Sequence, residues 1–155
     1  MAGPLWRKAQ TFHQVGIVVP DLAKAMATMS HALGVQREDW VVFDHAHPFE
    51  HHEGDRVIEA RTRYARAQSG ATVYQLLEPV AGDTIWQRWL DRSTSIFALG
   101  YFIRDLPATE RDLLDRGYER LAWGSVREGD AEFRYSFVRL PDSGLVLELM
   151  SQVVP

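Results

Sequence analysis

VGIVVPDLAKAMATMSHALG, residues 15–34, and LGYFIRDLPATERDLLDRGY, residues 99–118, are two copies of one pattern set 84 positions apart. Each runs an apolar residue, Gly, three largely apolar residues, a variable residue, Asp-Leu, an amphipathic stretch and a closing Gly. The opening reads as a buried strand, and the Asp supplies an acceptor for the free N–H groups of a helix start. From Asp21 the 3.6-residue period puts Leu22, Ala25, Met26, Met29, Ala32 and Leu33 on one helical face. Gly34 can take the left-handed stop. In the second copy Asp105 caps, Pro107 sits in the first turn where its missing N–H costs nothing, Leu113 and Leu114 face the core, and Gly117 ends the helix.

The segments after the two helices repeat as well. After Gly34 come strand-like runs at Trp40–Phe43, Val57–Tyr64 and Ala71–Leu77; after Gly117 come Arg120–Trp123, Glu132–Val138 and Leu145–Met150. The pattern predicts an α+β fold of two βαβββ modules. An N-terminal extension over residues 1–11 precedes a first module at 12–80. A linker helix at 81–95 leads to a second module at 96–151. The linker helix has Asp83 or Thr84 as its cap and Ile85, Trp86, Trp89 and Leu90 inward.

The chain has 155 residues, is 46% hydrophobic and 25% charged, and carries a net charge of −4. That composition suits one domain with a real core. An acidic balance without basic runs gives a nucleic-acid backbone nothing to hold. The absence of Cys excludes disulfides, thiolate metal ligands and a thiol nucleophile, and fits a reducing cytoplasm. MAGPLWRKAQTFHQ has no apolar signal core, and no run approaches the roughly 20 apolar residues of a spanning helix.

Paired modules carrying V-G-I-V-V-x-D-L from Val15, Q-L-L-E-P from Gln75 and G-L-V-L-E-L from Gly144 resemble the vicinal oxygen chelate superfamily. That superfamily includes glyoxalase I, methylmalonyl-CoA epimerase, extradiol dioxygenases and bleomycin-resistance proteins. The resemblance spans about Phe12 to Ser151, and the linker GDTIWQRWLDR is similar to that of the epimerase-like glyoxalase group. It implies a curved, cup-shaped mixed sheet with helices on its outer face, a small-molecule ligand, and often a homodimer. It further implies ligating positions on the inner face of the first and last strand of each module. Here those positions are Gln14, Gln75, Ala98 and Glu148.

One carboxylate, two carboxamides and a methyl group are a poor set for Mn, Co, Ni, Zn or Fe, which favour imidazole, carboxylate or thiolate. A metal site of this kind would use Gln14, Gln75, Glu148 and His13. His13 precedes Gln14, so strand alternation puts it on the opposite face with Val15, Ile17 and Val19; a bulge would turn it inward. The tract from Asp44 to His52 holds four of the six histidines and reads as a solvated loop, a zinc site, or a donor folded over the cup.

Without a cation, an acidic group in an apolar strand has its pKa pushed up, which poises Glu148 as an acid/base. Gln14 and Gln75 then donate to a substrate carbonyl or to Glu148 itself. The reaction class this favours is proton transfer next to a carbonyl, as in an isomerase, epimerase or lyase. Glu148 satisfied within a buried polar network is the competing reading. A non-catalytic protein sequestering an aromatic ligand is a second function, with Tyr64, Ala98, Phe102, Trp123 and Tyr135 as its binding residues. A metal-dependent glyoxalase or dioxygenase using His13 or the loop histidines is a third. Arg61, Arg63 and Arg66 read as a solvated strand edge or as contacts to an anionic ligand.

Overall fold

The computed structural model describes residues 10–44, 49–92 and 96–154. The first module runs β1 (Gln10–Val18), α1 (Leu22–Leu33), β2 (Val41–Asp44), β3 (Phe49–Glu53), β4 (Arg56–Ser69) and β5 (Thr72–Ala81). After α2 (Ile85–Leu90), the second runs β6 (Ile96–Ile103), α3 (Leu106–Asp115), β7 (Glu119–Glu128), β8 (Ala131–Arg139) and β9 (Val146–Val153). β2 and β3 pair with successive parts of β4, against Arg63–Arg66 and Arg56–Ala60, and so act as one interrupted strand. This is βαβββ twice, as the repeat predicts.

The helix ends follow the sequence signals. Asp21 Oδ1 accepts from the Lys24 N–H at 2.9 Å, and Gly34 closes α1 at φ 65°. Asp105 Oδ1 accepts from the Ala108 N–H at 3.1 Å. The acid of the Q-L-L-E-P run has a structural use: Glu78 Oε2 accepts from the Leu22 N–H at 2.8 Å, fastening β5 to the first turn of α1. Of the expected α1 face, Leu22, Ala25, Met26, Met29 and Leu33 pack on the sheet with Leu76 and Trp40. Ala32 is exposed instead, at the fraying end of the helix.

Within each module the first and last strands are parallel, β1 with β5 and β6 with β9, and the remaining pairs are antiparallel. The modules join through antiparallel β1 and β6. Val15 pairs there with Leu99, the residue to which the 84-position repeat maps it, so an internal twofold axis passes between them. The expected cup goes one step further, because β3 pairs with β7 at His51↔Gly124 and His52↔Trp123 and the sheet closes into a barrel.

α1 and α3 cover the outside through separate apolar clusters. α2 lays Trp86, which is 3% exposed, into the interior beside Phe49, Tyr135 and Phe137. Thr84 caps that helix, accepting from the Gln87 N–H. No helix among the described residues is long and apolar enough to cross a membrane.

Candidate functional site

Alternation along the strands fixes what the interior contains. β5 turns Gln75 and Leu77 inward, β9 turns Glu148 and Met150 inward, and β4 presents Thr62, Tyr64 and Arg66. Together with aromatic side chains from β6 and β8 they line a void of about 600 Å³, counted out to its mouth. Gln14 is fully buried, and its Nε2 donates to Glu148 Oε2 at 2.9 Å, so the first strand of one module reaches the last strand of the other. Gln14 Oε1 is buried with no hydrogen-bond partner. Burial pushes the Glu148 carboxyl above its ordinary value, against the opposing pull of the Gln14 hydrogen bond and the Arg66 charge.

Gln75 is held differently. Its Oε1 accepts from Arg66 Nε at 2.8 Å, while Arg66 Nη1 donates to Glu128 Oε2 at 2.9 Å. Tyr64 O–H donates a short hydrogen bond to the other Glu128 oxygen. The guanidinium lies over the rings of Phe43 and Tyr64 at 5.2 and 5.1 Å. Arg61 and Arg63, of opposite parity to Arg66 on the strand, sit outside near Asp44. Arg66 and Glu128 therefore belong to the site. Arg66 was recoverable from its even spacing with Tyr64; Glu128, at a hairpin end, carried no sequence signal.

The strand alternation expected at His13 fails. Phe12 pairs with Tyr101 and Gln14 with Gly100, which leaves His13 as the extra residue of a bulge. Its ring turns against the cavity-lining Phe102 at 4.5 Å, while Ile17 keeps to the outer cluster. Burial and the Arg66 charge lower the His13 pKa, and Glu128 partly offsets them. A matching bulge at Phe97 precedes Ala98, the twofold equivalent of Gln14.

Of the expected binding residues, Tyr64, Phe102 and Tyr135 line the cavity. Ala98 is buried in the interior cluster without lining it. Trp123 is a correction. It stacks on His52 at 4.9 Å and beneath the Arg120 guanidinium, while its neighbour Ala122 faces the interior cluster.

The tract read as a loop also needs correction, because Phe49–Glu53 is a strand. His51 is fully buried, with Nδ1 2.7 Å from Tyr135 Oη and Nε2 2.9 Å from Glu53 Oε1. A carboxylate only accepts, so Nε2 carries the proton and Nδ1 accepts from Tyr135 O–H. Glu53 also takes the Ile85 N–H at 2.5 Å and pairs with Arg88. Burial lowers the His51 pKa, with Glu53 opposing, and raises that of Tyr135. The His45/His47 pair lies outside the described residues.

Residues 13–137 match the family described as the Glyoxalase/Bleomycin resistance protein/Dioxygenase superfamily. The chain belongs to this superfamily.

Among solved structures of the superfamily's fold, methylmalonyl-CoA epimerase from Mycobacterium tuberculosis is 26% identical, with 93% of this chain and 88% of that one covered and a TM-score of 0.59. A methylmalonyl-CoA epimerase in complex with methylmalonyl-CoA and NH4+ is 22% identical, covering 93% and 95%, with a TM-score of 0.60. A 4-hydroxymandelate synthase variant from Streptomyces coelicolor is 15% identical, covering 95% of this chain and 50% of its own, at 0.56. No curated protein matches the chain at a significant level.

Superfamily members often hold a divalent metal, and the donor set here does not fit one. The four ligating positions offer one carboxylate, two amide oxygens and the methyl group of Ala98. One of those oxygens, on Gln75, already accepts from a guanidinium. Gln14 Oε1 is the one uncommitted donor among the two carboxamides. Among the described residues no three His, Asp or Glu side chains gather as a metal cluster.

Proposed function

We propose that the protein is a small-molecule enzyme that moves a proton at a carbon next to a carbonyl, with Glu148 as the acid/base. The observation that supports this most is a carboxyl group buried on a cavity wall, steadied by one hydrogen bond from Gln14 and with raised proton affinity. Such a group holds its proton at a pH where an ordinary carboxylate has lost it, and can take one back from carbon once ionised. Gln14 fixes the carboxyl in direction. Gln75, with its oxygen engaged by Arg66, is left with its amide N–H groups to donate to an enolate oxygen forming in the cavity. Desolvation strengthens both effects.

The test is wash-in of solvent deuterium, with methylmalonyl-CoA as the first probe because a structural relative is a complex with it. Glu148→Gln keeps the shape and the Gln14 contact, and is expected to lower exchange by about 10²–10⁴-fold. Exchange in the parent protein should rise with pH about a midpoint above the ordinary carboxylate value. A Glu148→Gln variant that exchanges at the parent rate refutes the assignment.

A second reading has its own support in the wall formed by Tyr64, Trp86, Phe102, Phe133, Tyr135 and Phe137, which suits a flat ligand held without turnover. It predicts quenching of Trp86 fluorescence on ligand binding with no exchange.

A further inference from the structure

We infer that Arg66 supplies the cavity with a fixed cationic donor at a site whose side chains do not fit a metal ion, and that the ligand it selects carries a carboxylate. The inference deepens the proton-transfer reading and rests on it for the ligand's orientation, with the enolisable carbon toward Glu148 and the acid group toward Arg66.

Three contacts fix the guanidinium. Nε is tied to Gln75, Nη1 to Glu128, and the plane lies over Phe43 and Tyr64. A guanidinium has five N–H donors, and these bonds use two. Among the described residues Nη2 has no hydrogen-bond partner, and Arg66 lines the cavity with its side chain 23% exposed. A guanidinium is a planar, always-charged fork of donors whose geometry matches a carboxylate. The Gln75 amide oxygen, at a ligating position, serves the arginine, so the charge that engages it comes from β4.

Glu128 offsets part of this charge but leaves Nη2 uncommitted among the described residues. It takes a hydrogen bond from Nη1 and is itself held by the Tyr64 hydroxyl, so it is fixed in place away from a second bond to Nη2. The fork is thus oriented before a ligand arrives, which limits the ordering cost of binding.

The experiment compares benzoylformate, an aromatic 2-oxo carboxylate with no enolisable proton, with its neutral methyl ester. Binding to the full-length protein is followed by tryptophan fluorescence and calorimetry. Hydrogen bonds to a charged partner contribute about 1.5–3 kcal/mol, so the acid should bind roughly 10- to 100-fold more tightly than the ester. Added salt should weaken the acid alone. Arg66→Met should bring the acid down to the ester's affinity, and Arg66→Lys, which keeps charge without the fork, should recover only part of the difference.

Equal binding of acid and ester, binding of neither, or discrimination that survives in Arg66→Met overturns the inference. The comparison on the parent protein needs no variant to fold. Because benzoylformate cannot exchange a proton on carbon, discrimination without any Glu148-dependent exchange would sink the proton-transfer reading alone. Exchange without discrimination would sink the role of Arg66 alone.

Discussion

A Cβ placed on Gly100 would stand 2.6 Å from Gln14 Cγ, nearer than side-chain carbons approach in folded proteins. Gly100 is therefore glycine because a long side chain from the other module crosses it on the way to Glu148. A Cβ on its twofold equivalent, Gly16, would meet only the Ala98 backbone, its carbonyl oxygen at 3.4 Å, an ordinary contact, because the Ala98 methyl is too short to cross it. Gly100→Ala should force Gln14 off its present path, with an overpacking cost of about 1–3 kcal/mol in melting experiments. Any Glu148-dependent exchange should fall by more than that loss of stability explains, because Gln14 no longer steadies the carboxyl. Unchanged exchange would show that Gln14 is packing and nothing more. The two glycines were visible in the repeat, and so were Gln14 and Glu148. The meeting of those two side chains was not, since it depends on a strand pairing between modules.

The element that sequence reasoning missed is β3. Phe49, His51 and Glu53 alternate inward as a strand requires, but two of the three are ionisable, so the run reads as a polar loop. Its inner face is satisfied by distant partners, Tyr135 on β8 and the Arg88 side chain and Ile85 N–H of α2, which no local pattern announces. The arrangement has a pH signature. Because burial lowers the His51 pKa below 6.5, the unfolded chain binds its proton more readily. The stability contributed by neutral His51 is complete above about that value and is lost as pH falls below it toward the folded-state pKa. The half-buried His13 is shifted in the same direction and adds to the slope. The two histidines therefore lower the melting temperature between pH 7.5 and 5, while Glu148, whose pKa burial raises, pulls the other way. His51→Ala should cost about 3 kcal/mol at pH 7.5, by stranding the Tyr135 hydroxyl, taking one of Glu53's three partners and opening a cavity. It should also remove the His51 share of the acid sensitivity, leaving the opposed shares of His13 and Glu148. A variant whose slope equals that of the parent would assign the acid sensitivity elsewhere.

At the scale of the molecule, the twofold kinship was legible because the repeat offset itself pairs Val15 with Leu99 across β1 and β6. Closure of the barrel was not, although it too joins a strand to its counterpart, because it rests on a short pairing of the polar strand β3 with β7. β7 runs from Glu119 to Glu128, and its counterpart in the first module comprises β2 and β3. The two seams differ in extent. β1 and β6 pair from Gln10↔Ile103 to Ile17↔Ile96, while β3 and β7 meet, among the described residues, at His51↔Gly124 and His52↔Trp123. Gly124 is needed at the short seam because a side chain there would strike the Tyr135 hydroxyl that holds His51. A seam with few ladder bonds opens at lower free energy than the whole fold, and it borders the cavity through Tyr135. In hydrogen exchange, the amides of β3 and of β7 around Gly124 should lose protection well before those of β1 and β6. A ligand that fills the cavity should slow the first group selectively, since it binds the closed barrel and not the opened one. Loss of protection at both seams with one rate would show instead that the barrel opens only by unfolding, and that a ligand reaches Glu148 without parting the β3–β7 seam.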